Sequence, residues 1–205
     1  MKGAVINLSR EVNNRGLACP QPVINTKRAL EEMGQGTLIS IVDNEIAREN
    51  IIRFAENANC KVQVEDKGGE YYITITKGDE SPLSSPVTPA KGETGPMVYL
   101  ITSNTFGSGS EDLGEILMIS FFNSLLEQRA PKSIMLVNSG VRLAVAQSRV
   151  LEQINKLVDR GTTVLACGTC LDYYKLKEQL AVGRVTNMLE ILDNLTGDTK
   201  AVTIG

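Results

Sequence analysis

Four cysteines and no histidine bound the chemistry open to this 205-residue chain. Without an imidazole, no Cys–His or Ser–His dyad can form, nor a mixed Cys/His zinc site. A four-cysteine zinc site needs two closely spaced pairs. Only Cys167 and Cys170 are so spaced, while Cys19 and Cys60 stand alone. A reactive thiol must therefore be activated by a helix terminus, by backbone N–H groups or by Lys and Arg. No metal and no cofactor is implied.

The first candidate is Cys19, in Gly16-Leu17-Ala18-Cys19-Pro20-Gln21-Pro22-Val23. Proline breaks a helix interior, but in the first turn its missing N–H has no intrahelical partner to lose. The segment therefore reads as the start of a helix over Cys19–Met33, with Cys19 at or near the N-cap. The N–H groups of Gln21 and Val23 are expected to face the sulfur, and the helix dipole adds partial positive charge there. Together these favour thiolate over thiol. A buried cysteine that merely starts a helix is the plainer reading, but cysteine is a poor N-cap beside Ser or Asp.

The second candidate is the pair Cys167 and Cys170, in Thr163-Val164-Leu165-Ala166-Cys167-Gly168-Thr169-Cys170-Leu171. An apolar run enters a turn and a helix, so Cys167 is expected at the carboxyl end of a parallel strand, where α/β sheets place their chemistry. Cys170 falls in the next turn. The same spacing reads as a thioredoxin-type redox motif, but here it comes late, and residues 167–205 hold no proline for the cis turn that such folds set against it. Asn104–Ser110 and Asn138-Ser139-Gly140 follow two earlier strands and are expected to wall a pocket near Cys167. The first of these loops lacks the Lys of a P-loop. Cys60, at the entry to a strand, reads as structural.

Two sets of elements must position these thiols. Residues 1–77 read β-α-β-α-β-β: a strand at Ala4–Leu8, the Cys19 helix with Val23, Thr26, Leu30 and Met33 inward, and a strand at Thr37–Val42. A second helix follows, capped by Asp43 or Asn44, with Ala47, Ile51, Phe54 and Ala58 inward. A hairpin about Gly68-Gly69 closes the set, giving a two-layer α+β sandwich. Residues 78–95, rich in Pro, Gly and Ser, have linker composition; eighteen such residues span roughly 23 Å root-mean-square if flexible.

Residues 96–205 alternate strand and helix: strands at Met97–Thr102, Ser133–Asn138, Thr162–Ala166 and Lys200–Ile204, and helices over Glu111–Gln128, up to Arg160 with Gly161 at C′, after Cys170, and over Thr186–Asn194. This is the pattern of a three-layer parallel α/β unit. The helix Glu111–Gln128 is apolar nearly all round (Leu113, Ile116, Leu117, Met118, Phe121, Phe122), which implies burial on two sides, by a subunit partner or by the chain's own last helix.

The net charge of −3 gives no footprint for nucleic acid. No apolar run approaches bilayer length, and Met1–Arg10 lacks a signal-peptide core. The expectation is a cytoplasmic protein whose thiols stay reduced.

The stretch LACPQPVINTKRAL, with Cys-Pro-x-Pro opening the first helix, resembles the TusA/SirA-like sulfur-carrier family over roughly residues 1–77. The resemblance implies that Cys19 receives sulfur from a donor persulfide and passes it on, with a cysteine desulfurase or similar donor and an acceptor protein as partners. Lys27 and Arg28 are candidates for docking, although solvated helix charges explain them as well. Residues 96–205 resemble, more loosely, the DsrE/F-like family, which carries sulfur on a cysteine at the position of Cys167; Cys170 is an addition. The fusion, with ACGTCLDYYKL and AVGRVTNM, is similar to the YedF group, associated with selenium metabolism. The catalytic candidates are thus Cys19, Cys167 and Cys170. Two other functions stay open: a dithiol oxidoreductase using Cys167 and Cys170, and a binding or regulatory module whose thiols are passive.

Overall fold

The period-two alternation around Gly68-Gly69 forms the hairpin it predicts. In the computed structural model, which describes residues 9–33, 35–78 and 97–205, strands β3 (Lys61–Asp66) and β4 (Tyr71–Lys77) pair antiparallel. β4 also pairs antiparallel with β2 (Gly36–Val42), and β2 pairs parallel with β1 (Ser9–Asn13), giving the order β1-β2-β4-β3. The strand expected at Ala4–Leu8 and the linker beyond residue 78 lie outside the described residues. The described residues fall into two units, 9–78 and 97–205.

In the first unit, helices α1 (Gln21–Glu32) and α2 (Glu45–Asn57) pack on the sheet. Leu30, Leu38, Ile51, Ile73 and Ile75 are fully buried, each burial contributing about 1.5–3 kcal/mol. Thr26 and Leu30 point inward as expected, whereas Val23 and Met33 are only half-buried because the inner face turns toward Ile24 and Ala29. Asn44 is the cap of α2, accepting from the Ala47 N–H at 2.8 Å. Buried Lys77 closes the other end of α1, its Nζ donating to the carbonyls of Leu30 (2.8 Å) and Met33 (2.9 Å), which lack helical donors. Cys60 is buried in this core.

The second unit is an all-parallel five-stranded sheet of order β8-β7-β6-β5-β9. Its strands are β5 (Met97–Ile101), β6 (Ser133–Leu136), β7 (Thr163–Cys167), β8 (Arg184–Thr186) and β9 (Lys200–Ile204). Its helices are α3 (Glu111–Leu125), α4 (Leu151–Asp159), α5 (Gly168–Tyr173) and α6 (Met188–Thr196). α3 packs against α4, and because the connection from β8 returns across the sheet to β9 at the far edge, the rule of right-handed crossovers assigns α6 to the opposite face. The three layers are those expected.

Several boundaries differ from expectation. β8 is unforeseen: its three residues, with no long apolar run, overlap the start of the helix predicted from Thr186. That helix begins at Met188, capped by Asn187 on the Glu190 N–H at 3.1 Å. The helix predicted to Gln128 ends at Leu125. Gly161 has φ of 96°, and its N–H and that of Thr162 close α4 on Val158 and Leu157, as the C′ reading requires. Met118, Phe122 and Leu125 of α3 are buried, while Leu113, Ile116 and Leu117 remain exposed, as do Met188, Leu189 and Leu192 of α6. The last helix therefore leaves the outer face of α3 uncovered. Among the described residues no helix is long and apolar enough to cross a membrane.

Candidate functional site

Cys19 sits on an exposed loop that is held from behind. Asn14, fully buried, donates from Nδ2 to the Pro22 carbonyl (3.3 Å), Thr26 Oγ1 (3.3 Å) and Ser40 Oγ (2.9 Å), and its Oδ1 accepts from Asn25 at 2.9 Å. These contacts join the end of β1, the first two turns of α1 and the middle of β2. The next residue, Arg15, reaches Glu70 at 2.8 Å and the Tyr72 hydroxyl at 3.0 Å. The hydrogen bond from Arg15 holds the Glu70 carboxyl below the usual carboxylate range. Gly16 donates its N–H to Asp43 Oδ2 at 2.8 Å, and that bond lowers the Asp43 pKa. Three successive residues thus tie the loop to α1, the hairpin and the start of α2.

The N–H groups expected to face the sulfur do not. Gln21 N–H donates to the Ala18 carbonyl at 3.0 Å and Val23 N–H to the Pro20 carbonyl at 3.1 Å. The carbonyls of the turn claim both donors, and the N-cap is Pro20 rather than Cys19, with the Cys19–Pro20 bond cis. Asn50 Nδ2, from α2, donates to Cys19 Sγ at 3.5 Å. Asn50 lies 31 residues away in sequence, and nothing in the local pattern singles it out. Lys27 pairs with Glu31 at 3.8 Å one turn on, an ordinary solvated helix contact.

In the second unit, Cys167 ends β7 and is the N-cap of α5, and Cys170 is three residues into that helix. N-cap and third-residue side chains face one another at a helix start, and both sulfurs are free thiols. Their burial is unequal: Cys167 is 4% exposed and packed in the core, whereas Cys170 is half-buried at its edge. The Asn138 N–H donates to Cys170 Sγ at 3.1 Å. Burial first, then the hydrogen bond that the Cys170 thiol donates to Cys167, pushes the Cys170 thiol up, against the lowering effect of Asn138.

Asn138 is held in the left-handed region, φ 50°, and its Oδ1 accepts from the Tyr174 hydroxyl at 2.9 Å. Arg142 lies over the Tyr174 ring, 4.7 Å from its centre. The turn Asn138–Ala144 packs tightly on β5, since a Cβ on Gly140 would stand 2.5 Å from the Ile101 carbonyl oxygen. The Asn104 N–H meets Ser139 Oγ at 3.3 Å. The two loops expected to wall a pocket therefore meet each other, and one of them touches Cys170. A cavity of about 380 Å³ nearby is lined by residues that include Asn104, Arg142 and Leu176, but by neither cysteine.

The sequence model of the family described as Sulfurtransferase TusA matches residues 10–77. A protein of Methanocaldococcus jannaschii named as a sulfur carrier is 40% identical over 70 residues, which are 33% of this chain and 93% of that protein. Among solved structures, a SirA-like protein from Desulfitobacterium hafniense is 32% identical, covering 35% of this chain and 99% of its own, with a TM-score of 0.33. A protein of unknown function from Methanobacterium thermoautotrophicum is 17% identical, covering 52% of this chain and 96% of its own, with a TM-score of 0.40. The ychN protein of E. coli is 16% identical, covering 53% of this chain and 99% of its own, with a TM-score of 0.40.

Proposed function

We propose that this chain, which belongs through residues 10–77 to the TusA sulfurtransferase family, relays sulfur as a cysteine-bound persulfide from Cys19 to the thiols of its second domain. The observation that carries the reading is the presentation of Cys19: an exposed thiol on a loop tied down at Asn14, Arg15 and Gly16, with the Asn50 amide donating to its sulfur. The Asn50 amide gives the sulfur a hydrogen-bond donor on an exposed loop, and the thiolate is the form that attacks.

In the loading step the Cys19 thiolate attacks the outer sulfur of a donor persulfide, as formed by a cysteine desulfurase. A Cys19–S–SH bond forms, the donor's S–S bond breaks, and the donor leaves as a thiol after taking up a proton. No net oxidation or reduction occurs. The receiving domain, residues 96–205, is read as DsrE/F-like, with Cys167 and Cys170 at the carboxyl edge of its parallel sheet, and residues 78–95 as the linker between the two domains. We read the fusion as one of the YedF type, with selenium as a second cargo beside sulfur. The exposed apolar face of α3 suits a homo-oligomer built through the second domain. The work is set in the cytoplasm, where free thiols persist.

The test is to incubate the full chain with a cysteine desulfurase and cysteine, then take its mass, with a selenium source run in parallel. Wild type should gain sulfur at Cys19, and Cys19→Ser should not. An unloaded wild type, or equal loading of the two, removes the proposal. A second reading, a dithiol oxidoreductase, is favoured by the juxtaposition of Cys167 and Cys170; it requires a disulfide that opens and closes reversibly with a measurable potential.

A further inference from the structure

Two features of the Cys167–Cys170 pair go unused by a relay that stops at loading. First, one thiol is reachable and the other is sealed in the core. A carrier needs only the reachable one. Second, the reachable sulfur, Cys170, receives a backbone N–H from Asn138, a residue kept in a left-handed conformation and bonded through its side chain to Tyr174. Tyr174 in turn donates its own N–H to the Cys170 carbonyl at 3.0 Å and lies under Arg142. Cys170 Sγ is thus held at the Asn138 N–H, beside a second thiol buried in the core.

We infer that this pair unloads the relay: Cys170 accepts the sulfane sulfur and Cys167 resolves it, releasing hydrosulfide. The inference rests on the relay reading for the source of the sulfur, though not for the release step. In that step the Cys167 thiolate attacks the inner sulfur, Sγ of Cys170–S–SH. The Cys167–Cys170 S–S bond forms, the Cys170–sulfane bond breaks, and hydrosulfide leaves, taking a proton to become hydrogen sulfide. The sulfane sulfur is reduced by two electrons and the two cysteines are oxidised to a disulfide. An external dithiol reductant then supplies two electrons and two protons to restore the pair.

Leaving-group chemistry favours this route. Attack on the outer sulfur would expel the Cys170 thiolate. Burial and Cys167 raise the proton affinity of that sulfur, and a more basic thiolate leaves more slowly. Hydrosulfide, the anion of a stronger acid than an alkyl thiol, leaves more readily. The buried position of Cys167 also keeps outside thiols from competing for the same bond. In a chain carrying selenium the same step would release hydroselenide.

The test uses full-length Cys19→Ser, so that loading does not depend on the relay, treated with inorganic polysulfide and freed of excess reagent without oxygen. Sulfide is trapped with monobromobimane, and peptides are mapped by mass. The expected result is sulfide release equimolar with a new Cys167–Cys170 disulfide. Adding Cys167→Ser, or Cys167→Ala if the first folds poorly, should leave the extra sulfur on Cys170 and cut release at least tenfold. Adding Cys170→Ser should abolish release. Stable sulfane on Cys170 with Cys167 intact, or undiminished release without Cys167, overturns the inference. Failure of the desulfurase to load Cys19 in the wild type would remove the relay and leave this result untouched.

Discussion

Replacing Asn14 by alanine should loosen the first unit more than any other polar-to-alanine change in its loop. The side chain is fully buried; its two amide hydrogens are shared among three acceptors and its oxygen accepts one bond. Each hydrogen bond contributes about 0.5–1.5 kcal/mol net. Thr26 and Ser40 keep each other at 3.0 Å, and Thr26 still donates to the Pro22 carbonyl at 2.7 Å, which trims the loss of partners. The expected cost is about 2–4 kcal/mol. For a domain of this size, that lowers the melting temperature by roughly 10–25 °C.

Because the chain holds two units, one bulk transition is not a clean readout. Hydrogen exchange of peptides across α1 and β2, followed by mass over a urea series, isolates the first unit. Asn25→Ala, which removes one bond to Asn14 and one from Gln21, should cost much less, about 1 kcal/mol. A loss under about 1 kcal/mol for Asn14→Ala, or equal losses for the two variants, would refute the idea that Asn14 anchors the Cys19 loop.

Asn50→Leu should slow alkylation of Cys19 by iodoacetamide roughly three- to tenfold, the size of an ordinary hydrogen bond of about 0.5–1.5 kcal/mol rather than of one to a buried charge, because the sulfur is exposed; peptide mass mapping at Cys19 reads the rate, and an unchanged rate counts against Asn50 as an activating contact. Glu190, which accepts from Arg184 and Thr186 and so ties β8 to α6, is held down to about 2 from its ordinary 4.5, chiefly by Arg184. A lowered carboxylate contributes stability above its unfolded value, and the contribution fades as pH falls through 4.5 toward about 2. Glu190→Gln should therefore be less protected than wild type in β8 and α6 by hydrogen exchange at pH 6, and the gap should close as pH is lowered.

Much of the architecture is written locally. The alternation of Tyr71, Ile73 and Ile75 about a Gly-Gly turn, the cap before α2, and Gly161 after α4 all act within a few residues, so they can be read along the chain. The thiols and the absence of histidine are likewise read from composition, and with them the exclusion of imidazole-based activation. β8 escaped because three residues carry no period, and their strand state comes from pairing with Leu165, Ala166 and Cys167. The surroundings of each sulfur escaped for the same reason. Asn50 meets Cys19 across 31 residues and Asn138 meets Cys170 across 32, distances over which no local periodicity carries information. Which of two neighbouring cysteines is sealed and which is reachable is settled by how α5 seats against the sheet core, a property of packing that exists only once the chain has folded.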